Sequence, residues 1–142
     1  MYIGLKHIHS YLAYLLLAII IFSILYALYN LLRKNSFTEK VRKVSLAGMI
    51  AAHLQLLIGF ILYFISPKGV TLISSEVMSD SISRLYVLEH PLTMIIGIVL
   101  ISVGYIRAKK PGDDVRRLRT IFLYYTGGLI LILLRIPWEE WI

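Results

Sequence analysis

The chain has 142 residues, of which 58% are hydrophobic and 16% charged, and its mean hydropathy is +0.78. A soluble domain of this length cannot bury so much apolar surface, so the composition indicates an integral membrane protein. The net charge is +7 and there is no cysteine, which excludes disulfides, thiolate metal sites and cofactor attachment through a Cys-x-x-Cys-His motif.

Four apolar segments are long enough to cross a membrane, because about 20 helical residues span a hydrocarbon core of about 30 Å. We expect helices at about residues 8–32, 40–65, 80–107 and 115–137. The first segment is longer than the apolar core of a signal peptide and no small-residue cleavage site follows it, so we interpret it as a mature helix. No internal repeat or long linker divides the chain, and residues 1–142 are predicted to form a single domain.

The distribution of positive residues predicts how these helices are oriented. Of the fifteen Lys and Arg, five lie between the first and second helices and six between the third and fourth. By the positive-inside rule both connections face the cytoplasm, which places both termini on the outer side of an antiparallel four-helix bundle. This pattern explains the charge without a nucleic acid partner, and it predicts attraction to anionic headgroups of the lipid bilayer.

Short motifs predict where helices begin. Ser36–Glu39 has the spacing of a capping box at the start of the second helix. Pro111–Asp114 is typical of a tight turn, and its acids suit the start of the fourth helix. A short helix is expected from about Ser75, with a cap near Ser79 or Asp80, and it should run into the third helix.

His53 lies near the middle of an apolar stretch, residues 44–67, that contains no Lys, Arg, Asp or Glu. An imidazole at membrane depth needs a partner for each ring nitrogen. Helical spacing places His53 on a bulky face with Leu57 and Phe60, and this face adjoins a stripe of close-packing residues. We expect the two faces together to line the bundle interior. The stripe consists of Gly48, Ala52, Gln55 and Gly59.

His90 is the best candidate for a second ligand beside His53. Its face of the third helix also carries Gly97, which either lets helix backbones approach or leaves room for a flat ligand. The helical rise places His53 about 4 to 9 Å deeper than His90, and helix tilt with a kink at Pro91 can absorb most of this mismatch. His9, at the start of the first helix, is the rival ligand.

A second cluster is predicted at the outer end of the bundle, where residues from the first, third and fourth helices come together: Lys6, His9, Arg84, Glu89 and Arg135. Two interpretations stay open. Arg135 either extends to the headgroups or pairs with Glu89. Alternatively, Arg84 and Arg135 bind carboxylates of a cofactor such as haem propionates, for which the guanidinium fork is suited.

Several stretches of the chain form a recognisable set: Tyr2 with residues 9–12, residues 53–67, Arg84 with Glu89 and His90, Met94 and Gly104, and residues 136–138. Together they resemble the small four-helix bacterial membrane proteins commonly labelled cytochrome b, over nearly the whole chain. The bundle is more distantly similar to one half of haem A synthase. The resemblance implies haem b bound by membrane histidines and a location in the bacterial inner, or cytoplasmic, membrane.

Three functions remain as hypotheses. The first is a haem b protein with His53 and His90 as axial ligands, which passes single electrons to or from a quinone or a subunit of a respiratory or other membrane complex. The second is a cofactor-free accessory or assembly subunit of a larger membrane complex. The third is a copper or zinc site formed by His9, His53 and His90. A stand-alone enzyme is less favoured, because the sequence lacks the common hydrolase and phosphate-binding motifs.

Overall fold

The computed structural model describes residues 1–69 and 75–141, and the regular structure in this part of the chain is helical. Four helices are long and apolar enough to cross a membrane, as expected: α1, α2, the stretch from α3 through α4, and α5. The elements are α1 Tyr2–Leu32, α2 Glu39–Ile65, a 3-10 turn Ser75–Ser79, α3 Ser81–Arg84, a π-helical turn Leu85–Glu89, α4 His90–Lys109, α5 Asp114–Leu134 and α6 Trp138–Trp141.

Two predicted helix starts are confirmed by side-chain caps. Asp113 precedes α5 and accepts a hydrogen bond of 3.1 Å from the backbone N–H of Arg116. Asp80 precedes α3 and accepts one of 3.4 Å from the backbone N–H of Ser83. The hydrogen bonds from Ser83 hold the pKa of the Asp80 carboxyl below its ordinary value. Local chemistry alone therefore determines these two starts.

The predicted cap at Ser36 is wrong, because the N-cap of α2 is Thr38. The Thr38 hydroxyl accepts a hydrogen bond of 3.4 Å from the backbone N–H of Val41. Phe37 is buried, and its backbone N–H donates to a carboxylate oxygen of Asp114 at 2.9 Å. This contact with α5 holds the preceding residues out of the helix, so α2 begins only after Phe37.

The connections 33–38 and 110–113 lie at the same end of the bundle, because the backbone N–H of Phe37 donates to Asp114, the first residue of α5. We call this region the connection end. The buried Tyr125 hydroxyl donates to the backbone carbonyl of Ser45 at 2.6 Å and so links α5 to α2. Lipid tails are as apolar as leucine, so close packing and such hydrogen bonds, rather than exclusion of water, hold membrane helices together. The side chains with no exposed surface in this region include Ala27, Ala108, Leu118 and Ile121.

Gly97 and Gly128 bring the backbones of α4 and α5 into contact. A Cβ atom on Gly97 would lie 3.1 Å from the carbonyl oxygen of Gly128, and one on Gly128 would lie 2.8 Å from the carbonyl oxygen of Gly97. The space at Gly97 is therefore occupied by α5. Of the two roles open to Gly97, the structure shows backbone approach rather than a groove for a flat ligand.

Candidate functional site

His53 lies on the exposed surface of α2, and not in the bundle interior as expected. Its Nδ1 is 2.8 Å from the backbone carbonyl of Met49, so Nδ1 carries the proton and donates it. Its Nε2 is 3.4 Å from the hydroxyl of Ser102 on α4. The small residues of α2, rather than His53, face the bundle interior, because they allow the neighbouring helices to pack closely against α2. The buried stripe comprises Gly48, Ala51, Ala52 and Gln55.

The structure does not bring His53 and His90 together. Because His53 contacts α4 at Ser102, its position can be measured along that helix. Ser102 lies about 18 Å from His90 at a rise of 1.5 Å per residue. Two imidazoles so far apart cannot bind opposite sides of one iron.

His90 is instead next to His9, the rival ligand. The centres of the two rings are 6.3 Å apart and their planes are nearly perpendicular, at 85°. The pair joins the start of α1 to the start of α4. Of the candidate histidine pairs, this is the one that the tertiary structure brings together.

The ring of His90 is held from α5. Its Nδ1 is 2.8 Å from the backbone carbonyl of Arg135, the C-cap residue of that helix. Because a carbonyl can only accept, Nδ1 carries the proton and donates it. The neutral ring then has its lone pair on Nε2, which is the arrangement that a metal-binding histidine commonly has.

His9 is held from α2. The side-chain amide of Gln55 donates to the backbone carbonyl of His9 at 2.8 Å. Gly59 lies beside the ring, where an added Cβ atom would be 3.4 Å from Cε1 of His9, an ordinary contact distance. Nδ1 of His9 and Oε1 of Gln55 are buried without a hydrogen-bond partner in the described part of the chain. Buried polar atoms of this kind are uncommon in native proteins and are frequent at functional sites.

A cavity of about 230 Å³ lies beside the two histidines. Residues from the start of α1, the end of α2, the start of α4 and the end of α5 line it, and we call this region the cavity end. Its walls are mostly apolar, with Met94 and Phe60 among them, and Lys6 lies at the rim. Phe60 is 42% exposed, so the wall on the α2 side reaches the surface of the bundle.

Arg84, Glu89 and Arg135 form one ion-paired group at the cavity end, as the sequence predicts. Nε of Arg84 is 2.9 Å from one carboxylate oxygen of Glu89, and Nε of Arg135 is 3.7 Å from the other. Arg84 also donates to the backbone carbonyl of Met78 at 2.8 Å. Of the two interpretations of this cluster, the structure shows the pairing of Arg135 with Glu89. Binding of cofactor carboxylates would have to use the N–H groups of Arg84 and Arg135 that do not contact Glu89.

The π-helical turn before His90 was not foreseen from the sequence, although Pro91 was a signal for it. Proline has no N–H, so the carbonyl of Val87, four residues earlier, lacks its helical partner. The hydroxyl of Tyr63 donates to that carbonyl at 2.9 Å. The turn adjusts the direction in which α4 presents His90, and such turns occur often at functional sites.

No family model, curated protein or solved structure matches the chain. Within residues 1–69 and 75–141, no three His, Asp or Glu side chains lie close enough to hold one metal ion. The structure therefore gives no support to a copper or zinc site made of three histidines. What remains is a pair of imidazoles beside an apolar cavity.

Proposed function

We propose that the chain is a membrane-embedded haem b protein that transfers single electrons, with His9 and His90 as the axial ligands. The observation that carries this proposal is the separation of the two ring centres, 6.3 Å. Two imidazoles on opposite sides of one metal ion have ring centres about 6 Å apart, because each metal–nitrogen bond is about 2 Å and each ring centre lies about 1 Å beyond its nitrogen. Perpendicular ring planes are compatible with such ligation.

The chain's own residues provide the second requirement, which is orientation of the ligands. The Arg135 carbonyl holds the Nδ1 proton of His90 and leaves Nε2 free to bind, while the Gln55 amide holds the backbone of His9. A hydrogen bond from the outer ring nitrogen also makes a histidine a stronger donor to a metal. Bound haem supplies one-electron oxidation and reduction at its iron, and axial ligands set its potential.

The proposal includes an antiparallel bundle in the bacterial inner membrane, with both termini outside. The support is the distribution of Lys and Arg, from which the positive-inside rule predicts that the cavity end faces outward. One electron partner in this arrangement is a quinone that reaches the site from the bilayer. The exposed wall at Phe60 is where the cavity meets the surface of the bundle. A second candidate electron partner in this proposal is a subunit of a larger membrane complex.

A second candidate is the cofactor-free accessory or assembly subunit, and the volume of the cavity favours it. The cavity of about 230 Å³ is smaller than the roughly 300 to 1,000 Å³ usual for pockets that hold drug-sized ligands. A macrocycle therefore requires lining side chains such as Phe60 to move outward. His53 and Ser102 also add polar groups to an exposed face, where a partner's helix can form hydrogen bonds.

The experiment that tests the first proposal is a reduced-minus-oxidised absorption spectrum of the protein, purified in mild detergent from haem-replete cells. We expect a Soret band with sharp α and β bands, as for six-coordinate low-spin haem. His9→Ala and His90→Ala should each abolish this spectrum. His53→Ala and His7→Ala are matched controls, since both residues are exposed, and they should leave it unchanged.

A colourless, folded protein would overturn the haem proposal. Recovery of a stable larger complex from the same colourless preparation would support the accessory function instead. If His53→Ala removed the spectrum and His9→Ala did not, the ligand pair would be assigned wrongly even though haem is bound.

A further inference from the structure

A second concave site lies at the connection end, between the last turn of α4 and the first turns of α5. Its volume is about 430 Å³. It is lined by three basic residues, one threonine and one tyrosine, and none of these lining residues is acidic. These residues are Arg107, Lys110, Arg116, Thr120 and Tyr124, and we call this site the basic pocket.

The central cation of the basic pocket is held in place. The guanidinium group of Arg116 donates to the backbone carbonyl of Arg107 at 3.3 Å and to that of Lys110 at 3.1 Å. Gly112 makes room for it, because a Cβ atom there would lie 3.0 Å from Nη2 of Arg116. Gly112 also has a φ of 156°, a value that side-chain-bearing residues rarely adopt. Carbonyl groups anchor the guanidinium but do not neutralise its charge.

The nearby acids do not neutralise the pocket either. Asp113 accepts a hydrogen bond from the backbone N–H of Arg116, and Asp114 accepts one from Phe37. The ion pairs in the described part of the chain involve Glu39 and Glu89, and neither pairs with a cation of the basic pocket. The three cations of the basic pocket therefore have no ion-pair partner in the described part of the chain.

The position of the pocket determines the kind of anion that it can receive. It lies at the ends of two helices that are apolar enough to cross a membrane, which is the level of lipid headgroups. Tyr124 lies deeper, with its ring centre 5.8 Å from the guanidinium carbon of Arg107. Ile106 and Leu123 are 47% and 56% exposed, so apolar surface continues from the pocket toward the hydrocarbon core. A single phospholipid can therefore place its phosphate group in the basic pocket while its acyl chains lie along the apolar surface of the helices.

We propose that the basic pocket binds the headgroup of an anionic phospholipid, and that it prefers a headgroup with two phosphates, such as that of cardiolipin. Three cations without an acid match a doubly charged headgroup better than a singly charged one. Arg116 supplies planar N–H donors for phosphate oxygens, and the Thr120 hydroxyl adds a further donor. This site is independent of the histidine pair.

The test measures binding to the full-length protein in neutral detergent, by native mass spectrometry and by the shift in unfolding temperature. Cardiolipin should bind and raise the unfolding temperature, whereas phosphatidylcholine and inorganic phosphate at equal phosphorus concentration should not. The double variant Arg107→Gln/Lys110→Gln should bind cardiolipin about 30-fold more weakly, the loss expected for two interfacial cations. The double variant Arg33→Gln/Lys34→Gln removes the same charge from the other connection and should bind as the unmodified protein does.

Equal weakening in the two double variants would overturn the proposal, because it would show general attraction between charges and no defined site. An equal response to inorganic phosphate would also overturn it and would identify a soluble anion as the ligand. Equal binding of cardiolipin and phosphatidylcholine would show that the headgroup charge is not recognised. All four cations substituted in the two double variants are exposed, so we expect both variants to fold. Circular dichroism would confirm this.

Discussion

The two ends of the bundle differ in what surrounds their buried polar side chains, although Thr126 Oγ1, next to Tyr125, also has no hydrogen-bond partner in the described residues. At the connection end, Tyr125, Ser45 and Asn30 are buried and make hydrogen bonds: the Tyr125 hydroxyl to the Ser45 carbonyl, and the Asn30 amide to the Tyr26 carbonyl at 2.8 Å. At the cavity end, Nδ1 of His9 and Oε1 of Gln55 are buried beside a cavity and have no partner in the described residues.

This difference separates stability from function. Filled space and satisfied polar groups hold helices together in a bilayer, where exclusion of water contributes little to their association. Space beside unpaired polar atoms costs stability, so it is expected where a ligand binds. We therefore expect substitutions at the connection end to change the free energy of unfolding, and those at the cavity end to change ligand binding.

The largest difference should come from adding one methyl group to a glycine at each end. In Gly104→Ala the new Cβ would overlap Cβ of Tyr124, an atom too near the backbone to move freely. We expect a loss of about 1 to 3 kcal/mol in unfolding free energy. In Gly59→Ala the nearest atom is Cε1 of His9 at 3.4 Å, an ordinary contact, so the change should be small. Unfolding in mixed micelles measures both, and equal losses would contradict the comparison.

The next largest effect should come from the buried tyrosine at the connection end. Tyr125→Phe removes the donor to the Ser45 carbonyl, and we expect a cost of about 1 to 2 kcal/mol in unfolding free energy. Tyr11→Phe makes the same chemical change at a side chain that is 69% exposed, and it should cost nothing measurable. If the two variants unfolded alike, the Tyr125 hydrogen bond would not hold α5 to α2.

A smaller effect is expected from the ion-paired group at the cavity end. Arg84, Glu89 and Arg135 are 30% to 46% exposed at their side chains, and pairs of this kind contribute about 0 to 1 kcal/mol. Glu89→Gln should therefore leave global stability almost unchanged while it speeds hydrogen exchange in the π-helical turn. The exposed Glu76 provides the control variant, Glu76→Gln. A global loss of several kcal/mol would show that the group holds the whole bundle.

The smallest effect should be at His53. His53→Leu replaces an exposed polar ring with an apolar side chain. The Met49 carbonyl loses the hydrogen bond from the His53 ring but keeps its place in the backbone hydrogen bonding of α2. We expect a change within about 0.5 kcal/mol of zero, which is usual for surface substitutions. Gln55→Leu, at a buried position two residues on, should cost more because it removes the bond to the His9 carbonyl. A large loss in His53→Leu would show that His53 has a partner outside this chain.

The sequence alone was sufficient for the class of protein and for much of the local structure. The apolar content indicated a membrane protein, four helices have the length and apolar character to cross a membrane, and Asp80 and Asp113 marked two helix starts. Three of the four residues in the predicted stripe of α2 are buried, namely Gly48, Ala52 and Gln55, whereas the adjoining face with His53 is exposed. These properties depend on composition or on a few neighbouring residues, so they can be recognised without tertiary contacts.

Only the tertiary structure decided which histidine is the neighbour of His90. In a membrane helix every face is apolar, so the pattern that distinguishes inside from outside in a soluble protein is missing around His53. Its outward position follows from helix rotation, which packing of the small residues sets. The pairing of His9 with His90 further depends on how α1 is placed along α4 and on the turn before Pro91. These placements result from contacts between distant parts of the chain, and no local sequence pattern contains them.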